Sequence, residues 1–183
     1  MSILKSMALA AAVSVATVAG AYAQNPMVGG AEMFPDKPIA ENASNASNLT
    51  TLVAAAKAAG LVETLAGEGP FTVFAPSNEA FAALPEGTVD TLLKPENQDQ
   101  LKKILLAHVV PAKATAADAM KMVKDDGGRH NVQTASGDTL TLAVQGDNLV
   151  VFDESGNAAT VTQADVMQSN GVVHIVDKVL LPK

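Results

Sequence analysis

The sequence contains no cysteine and no tryptophan, and its only tyrosine is Tyr22. A domain of this length builds its core without disulfides, so their absence does not argue against a stable fold. Gln24 stands where a lipobox needs its cysteine, so we expect no lipid anchor at that point. The scarcity of Trp and Tyr disfavours a carbohydrate-cleaving cleft, because such clefts usually hold sugars on aromatic platforms.

Basic side chains and long apolar runs are also scarce. The chain has twelve Lys and Arg residues and nineteen Asp and Glu residues, which gives a net charge of −7. Proteins that bind nucleic acid neutralise phosphates with Lys and Arg, so we expect no nucleic-acid partner. After residue 23 no apolar run approaches the roughly twenty residues of a membrane-spanning helix, so we expect no membrane span.

The first 23 residues have the pattern of a signal peptide. Lys5 precedes an apolar run, and the run ends in the small-x-small sequence Ala21-Tyr22-Ala23 that signal peptidase requires. We therefore expect cleavage after Ala23 and a periplasmic or secreted protein. Residues 24–39, with several prolines, are expected to form an N-terminal arm, and residues 40–183 a single domain.

The remaining pattern changes from helical to extended along the chain. Leu49, Leu52, Val53 and Ala56 repeat at helical spacing. Ser77 is expected to cap the start of a helix, and Thr115 with Asp118 has the spacing of a capping box. Beyond residue 128, β-branched runs alternate with turn residues, which predicts an antiparallel meander. One early strand at residues 71–75 must pair with this late sheet. The fold class is therefore predicted to be α+β.

The residues of common catalytic and cofactor sites are not arranged in any familiar pattern. His108 and His174 lie within apolar helix and strand patterns, so we expect both to be buried and hydrogen-bonded. No two histidines have metal-ligand spacing, and neither a hydrolase elbow nor a phosphate-binding loop is present. We therefore predict no catalytic, cofactor or metal site, and a hydrolase is the least favoured function.

Three segments resemble the signature boxes of the fasciclin domain family. The first is Thr72–Phe81 (TVFAPSNEAF), the central one is Leu105–Pro111 (LLAHVVP), and the last is Asn170–Pro182 (NGVVHIVDKVLLP). Their order and spacing match the family over roughly residues 40–182. The resemblance implies a small β-sandwich or wedge flanked by several helices, and an extracellular adhesion or protein-binding role without catalysis.

The chain departs from the family at two segments that relatives use for receptor binding. Ala107 stands where the family usually has a tyrosine, and residues 163–167 read QADVM instead of a Glu-Pro-Asp-Ile-Met type motif. Both segments lie at ends of predicted elements, where side chains are held but exposed. The resulting candidate partner-binding residues are His108, Val109, Lys113, Asp165, Val166 and Met167.

The function predicted from the sequence is a periplasmic or secreted adhesion or protein-binding module. The expected partner is an extracellular or envelope protein, with cell-surface carbohydrate as a second partner class. The alternative is an envelope protein that binds a small ligand or a polysaccharide. A small-ligand binder would need a sizeable apolar pocket, which a sequence does not reveal.

Overall fold

The computed structural model describes residues 25–182. The predicted signal peptide and its cleavage point after Ala23 lie outside these residues, so both stay predictions. The described helices are α1 (Ile39–Asn45), α2 (Thr50–Ala58), α3 (Val62–Ala66), α4 (Asn78–Ala82), α5 (Thr88–Leu92), α6 (Gln98–Leu106) and α7 (Ala116–Asp125), with a 3-10 turn at Pro95–Asn97 before α6. The described strands are β1 (Met27–Val28), β2 (Ala31–Glu32), β3 (Phe71–Pro76), β4 (Val109–Val110), β5 (Arg129–Gln133), β6 (Thr139–Gln145), β7 (Asn148–Phe152), β8 (Ala158–Gln168) and β9 (Gly171–Val176).

Seven strands form one sheet in the order β4-β3-β9-β8-β7-β6-β5. The late strands pair antiparallel, as the recurring turn residues predict, whereas β3 runs parallel to β9. The predicted pairing of the early strand with the late sheet is confirmed. At its start the pairing is so close that a Cβ atom on Gly171 would collide with the carbonyl oxygen of Phe71. Glycine is therefore required there by the approach of two backbones.

The sheet separates two apolar clusters. Val73 and Ala75 of β3 face one cluster, which lies under α1 to α6, while Phe74 faces the other, which lies under α7. This alternation follows from the two-residue repeat of a strand. Both faces of β3 and β9 are consequently covered, and β9 is buried at every position. The fold class predicted from the sequence, α+β with helices flanking a curved sheet, is confirmed.

The segment expected to be an N-terminal arm packs into the domain. Val28 and Met33 are 1% and 2% exposed and belong to the cluster under α1 to α6. Gly29 and Gly30 have φ values of 56° and 79°, which is the geometry of a two-residue turn joining β1 and β2. The Gly-Gly pair thus folds the start of this segment into a hairpin, and Val28 and Met33 pack against the domain.

Local capping signals are confirmed where the sequence predicts them. The Ser77 hydroxyl accepts a hydrogen bond from the Ala80 N–H at the start of α4. Thr115 and Asp118 form a reciprocal capping box at the start of α7. Among the described residues, none of the helices has the length and apolar character needed to cross a membrane.

Candidate partner-binding corner

His108 is a core residue rather than a contact residue. It is 1% exposed and lies just beyond the end of α6. The helical spacing of the sequence predicts it on the apolar face of that helix. Its Nδ1–H donates to the carbonyl of Ile104 at 2.8 Å, and its Nε2 accepts from the Leu180 N–H at 2.9 Å. Burial lowers the pKa of His108 to about 4, because the charged ring would lose its hydration, although the Ile104 carbonyl acts in the opposite direction.

The prediction that His108 is buried and hydrogen-bonded is therefore confirmed, and its candidate role as a contact side chain is not compatible with its burial. Val109, the next candidate, is 4% exposed and packs in the cluster under α1 to α6. Both residues lie where α6 passes directly into β4, the strand that pairs with β3. Neither side chain is available to a partner at the surface.

Lys113 is exposed on the loop between β4 and α7, and this loop is held in place from beneath. Thr72 of β3 is buried, and its hydroxyl donates to the Ala112 carbonyl at 2.6 Å. The same hydroxyl accepts from the Ala114 N–H at 2.9 Å. One buried threonine of the first signature box therefore fixes the backbone on both sides of Lys113, while its ammonium group stays in solvent.

Asp165 lies at an irregularity of β8 and is tied to the same loop. The register of β8 against β9 shifts between Gln163 and Val166, and Asp165 has a φ of 58°. Its carboxylate accepts a hydrogen bond from the Ala116 N–H at 2.7 Å, in the first turn of α7. Asp165 is exposed, as expected, but it also caps a helix, so it is not simply solvated.

A buried histidine links these two segments. His174 stacks on Phe74 with ring centroids 5.6 Å apart, and its Nε2 lies 3.0 Å from the Ala114 carbonyl. Its Nδ1 accepts from the Asp165 N–H at 3.2 Å, which assigns the proton to Nε2. Burial lowers the pKa of His174, so the neutral ring that this arrangement needs is favoured. The expected structural role of His174 is confirmed.

The last two candidates differ in exposure. Val166 is 1% exposed and packs in the cluster under α1 to α6, so it is not available to a partner. Met167 is half-buried, because the strand alternation places it on the other side of β8. The side chains that reach the surface are therefore Lys113, Asp165 and Met167, and we call this set, with the loop around it, the 113/165 corner.

An open groove that sequence reasoning did not identify lies next to the 113/165 corner. It encloses about 440 Å³ and is lined by residues 66–70, Lys113 and residues 168–171. The side chain of Asn170 shapes it by donating to the carbonyls of Leu65 and Gly67 at 2.7 and 2.9 Å. Turn residues at 67–70 and 170–171 were visible in the sequence, but they did not indicate that the two turns lie side by side.

Across residues 25–182, no three His, Asp or Glu side chains gather closely enough to hold a metal ion. The corner instead offers one ammonium group, one carboxylate and one thioether on a backbone fixed by buried hydrogen bonds. Such an arrangement suits recognition of a partner by charge and shape.

Comparison with known proteins identifies the family. The sequence model of the fasciclin domain matches residues 47–182. The chain belongs to the fasciclin domain family. Protein sll1483 of a Synechocystis strain is 51% identical over 144 residues, which cover 79% of this chain and 73% of the relative. Immunogenic protein MPB70 of Mycobacterium bovis is 39% identical over 150 residues, covering 79% of this chain and 69% of the relative.

Animal relatives are larger proteins, of which this chain matches only a part. The pig transforming growth factor-beta-induced protein ig-h3 is 38% identical over 136 residues, which are 74% of this chain but 18% of the relative. The fold is similar to a pair of fasciclin-type domains from the insect cell adhesion molecule Fasciclin I, with a TM-score of 0.71 at 17% identity. That match covers 79% of this chain and 51% of the insect chain. The family membership and the fold expected from the three signature boxes are thus confirmed.

Proposed function

We propose that this fasciclin domain is a periplasmic or secreted adhesion module that binds a protein partner through the 113/165 corner and performs no catalysis. The observation that carries the proposal is the hydrogen bond between the Asp165 carboxylate and the Ala116 N–H. It joins two segments about fifty residues apart in sequence, so that Lys113 and Asp165 are presented on one rigid surface. Binding surfaces that are fixed before association lose less conformational entropy when the partner docks.

The proposed partner is an extracellular or envelope protein, and cell-surface carbohydrate is the second class. Lys113 and Asp165 offer opposite charges on two segments joined by the Asp165–Ala116 hydrogen bond, which favours a partner with a complementary charge pair. The similarity in fold to an insect cell adhesion molecule supports a binding role for this chain.

The test is a pull-down from an envelope extract, followed by measurement of the dissociation constant for the captured protein. Lys113→Glu reverses the charge at the corner and is expected to weaken binding at least tenfold. Lys102→Glu, on the exposed side of α6, makes the same charge change elsewhere and should bind as the wild type does. Asp165→Asn removes the charge but keeps an oxygen that can accept from Ala116, so it tests charge without removing the cap.

Thermal melts of each variant establish that the fold is intact. If Lys113→Glu and Asp165→Asn both bind with wild-type affinity, the corner is not the binding site, and the hairpin and helix within residues 25–47 become the next surface to vary. The compartment is tested separately by intact-mass analysis of the protein recovered outside the cytoplasm. A chain beginning at Gln24 is expected, and one that retains Met1 would contradict the predicted secretion.

A further inference from the structure

An apolar cavity lies between the N-terminal helices and the sheet. Its volume is about 80 Å³, which is roughly the space of two to three water molecules. Folded proteins contain few voids larger than a single water molecule, so a space of this size is unusual for a close-packed interior. Its walls include the side chains of Ala43, Ala56, Leu65, Val73, Val173 and Ile175.

The cavity offers little to hold water. Two buried polar side chains, His108 and Gln168, border it. Both ring nitrogens of His108 are already engaged. The Gln168 side chain accepts from Asn42 and donates to the Val166 carbonyl at 3.4 Å. A buried water needs two to four polar partners, so this space favours an apolar occupant.

The exposed residues that line the cavity are Ser44 of α1, Thr64 of α3 and Ala135, and because two of the three lie on α1 and α3 we infer an entrance between these helices. Its walls on this side are the half-exposed Ala40 and Ala43 of α1 and the half-exposed Val62 of α3, together with the exposed Ser44. The hydroxyl of Ser44 donates to the Ala40 carbonyl at 2.7 Å, so it is turned back onto its own helix. Alanine and serine side chains leave a narrow gap between the two helices, and a gap of this kind admits a flexible unbranched chain more readily than a ring.

The charge around this entrance determines which kind of polar head group an occupant can carry. Glu41 follows Ala40 on α1, and Glu63 follows Val62 on α3, and both carboxylates are exposed. Glu41 is paired with Lys37, so Glu63 is the carboxylate that would repel a second carboxylate brought to the entrance. A neutral group would meet no such repulsion and would stay hydrated at the surface.

We propose that this cavity binds the end of an unbranched alkyl chain whose polar head is neutral, such as an alcohol or an ester. About three methylene-sized units enter between α1 and α3, and the head remains at the entrance. The inference is independent of partner binding at the 113/165 corner, because the cavity walls are formed by other side chains.

The test uses straight-chain 1-alkanols from propanol to octanol and the protein labelled with carbon-13 at alanine methyl groups. Saturable shifts are expected at the methyl signals of Ala43 and Ala56, while those of the exposed Ala54 and Ala117 stay in place. Affinity should increase about fourfold for each added methylene until the cavity is filled, and then level off. Hexanoate should bind at least tenfold more weakly than 1-hexanol at neutral pH.

A filled-cavity variant provides the decisive comparison. Ala43→Leu places an isobutyl group in the cavity and should abolish the alkanol shifts, whereas Ala54→Leu makes the same change on the exposed side of α2 and should bind as the wild type does. If Ala43→Leu does not fold, as judged by circular dichroism, Ala56→Val fills less space and is expected to weaken binding at least fivefold. Unchanged Ala43 and Ala56 methyl signals throughout the alkanol series would overturn the proposal, as would equal binding of hexanoate and 1-hexanol.

Discussion

Acidification is expected to destabilise this domain through His108. The pKa of this buried ring is lowered from 6.5 to about 4, so the folded protein resists protonation over a range where the unfolded chain accepts a proton. Between these two values the unfolded state binds more protons, and the free energy of unfolding therefore falls as the pH falls. The stability that His108 contributes as a neutral ring is complete above pH 6.5 and is lost as the pH approaches 4.

The magnitude of this loss of stability follows from the difference of 2.5 between the folded-state and unfolded-state pKa values of His108. Each pKa unit corresponds to 1.36 kcal/mol, so the loss between pH 7 and pH 4 is about 3 kcal/mol from this residue. A small domain has a total unfolding free energy of about 5–15 kcal/mol, so the effect is a large share of it. The lowered pKa of His174 adds a further loss of the same sign.

Urea denaturation at half-unit pH intervals from 7.5 to 4.0 measures this dependence. His108→Gln removes the titrating group, so its unfolding free energy should change with pH less steeply than that of the wild type, by about 3 kcal/mol over the range. Val109→Ala removes buried apolar atoms from the neighbouring residue without a titrating group. It should be less stable at every pH but keep the wild-type slope. An equal slope in His108→Gln and the wild type would refute the assignment of this loss to His108.

Three substitutions test the packing that supports the corner. Thr72→Val keeps the shape but removes both hydrogen bonds that fix the loop after β4, so it should cost about 1–3 kcal/mol in urea denaturation and speed amide exchange in that loop, whereas Thr72→Ser should keep most of the stability. Asp165→Ala removes the cap on α7 and places alanine at a φ of 58°. The unfolding free energy should therefore fall by about 1–3 kcal/mol in a melting curve, and an unchanged curve would show that the cap contributes nothing. Gly171→Ala forces a Cβ against the Phe71 carbonyl and should cost more than about 3 kcal/mol of stability or prevent folding. The control Gly30→Ala places a Cβ in open space at an unfavourable φ and should cost about 1 kcal/mol. Similar losses in the two variants would argue against the close approach of the two backbones.

Local features of this chain were determined by the sequence itself. The caps at Ser77 and Thr115 form as predicted because a capping side chain bonds to a backbone group only three residues away. The late strands form because β-branched runs and turn residues lie next to each other in sequence. The burial of His108 and His174 was also predictable, since each lies in an apolar pattern that only a core position satisfies. Three boxes in order then identified the family.

The exposure of the binding candidates was decided only by tertiary structure. Whether Val166 or Lys113 reaches solvent depends on which distant elements cover it, and one sequence does not contain that information. The bond from Asp165 to Ala116 and the groove beside Lys113 bring together segments that lie far apart in the chain.

The hairpin at Gly29 combines a turn that the local sequence determines with burial that only the tertiary structure decides. The Gly-Gly pair in the sequence determines its turn. Its burial depends on the packing of Met33 in the core beneath helices that come later in the chain. The alkyl-sized cavity is likewise a space left between side chains of several elements, and its volume depends on how closely those elements pack. Periodicity and capping act over a few residues, whereas cavities, grooves and exposure are set by contacts between residues that the fold brings together.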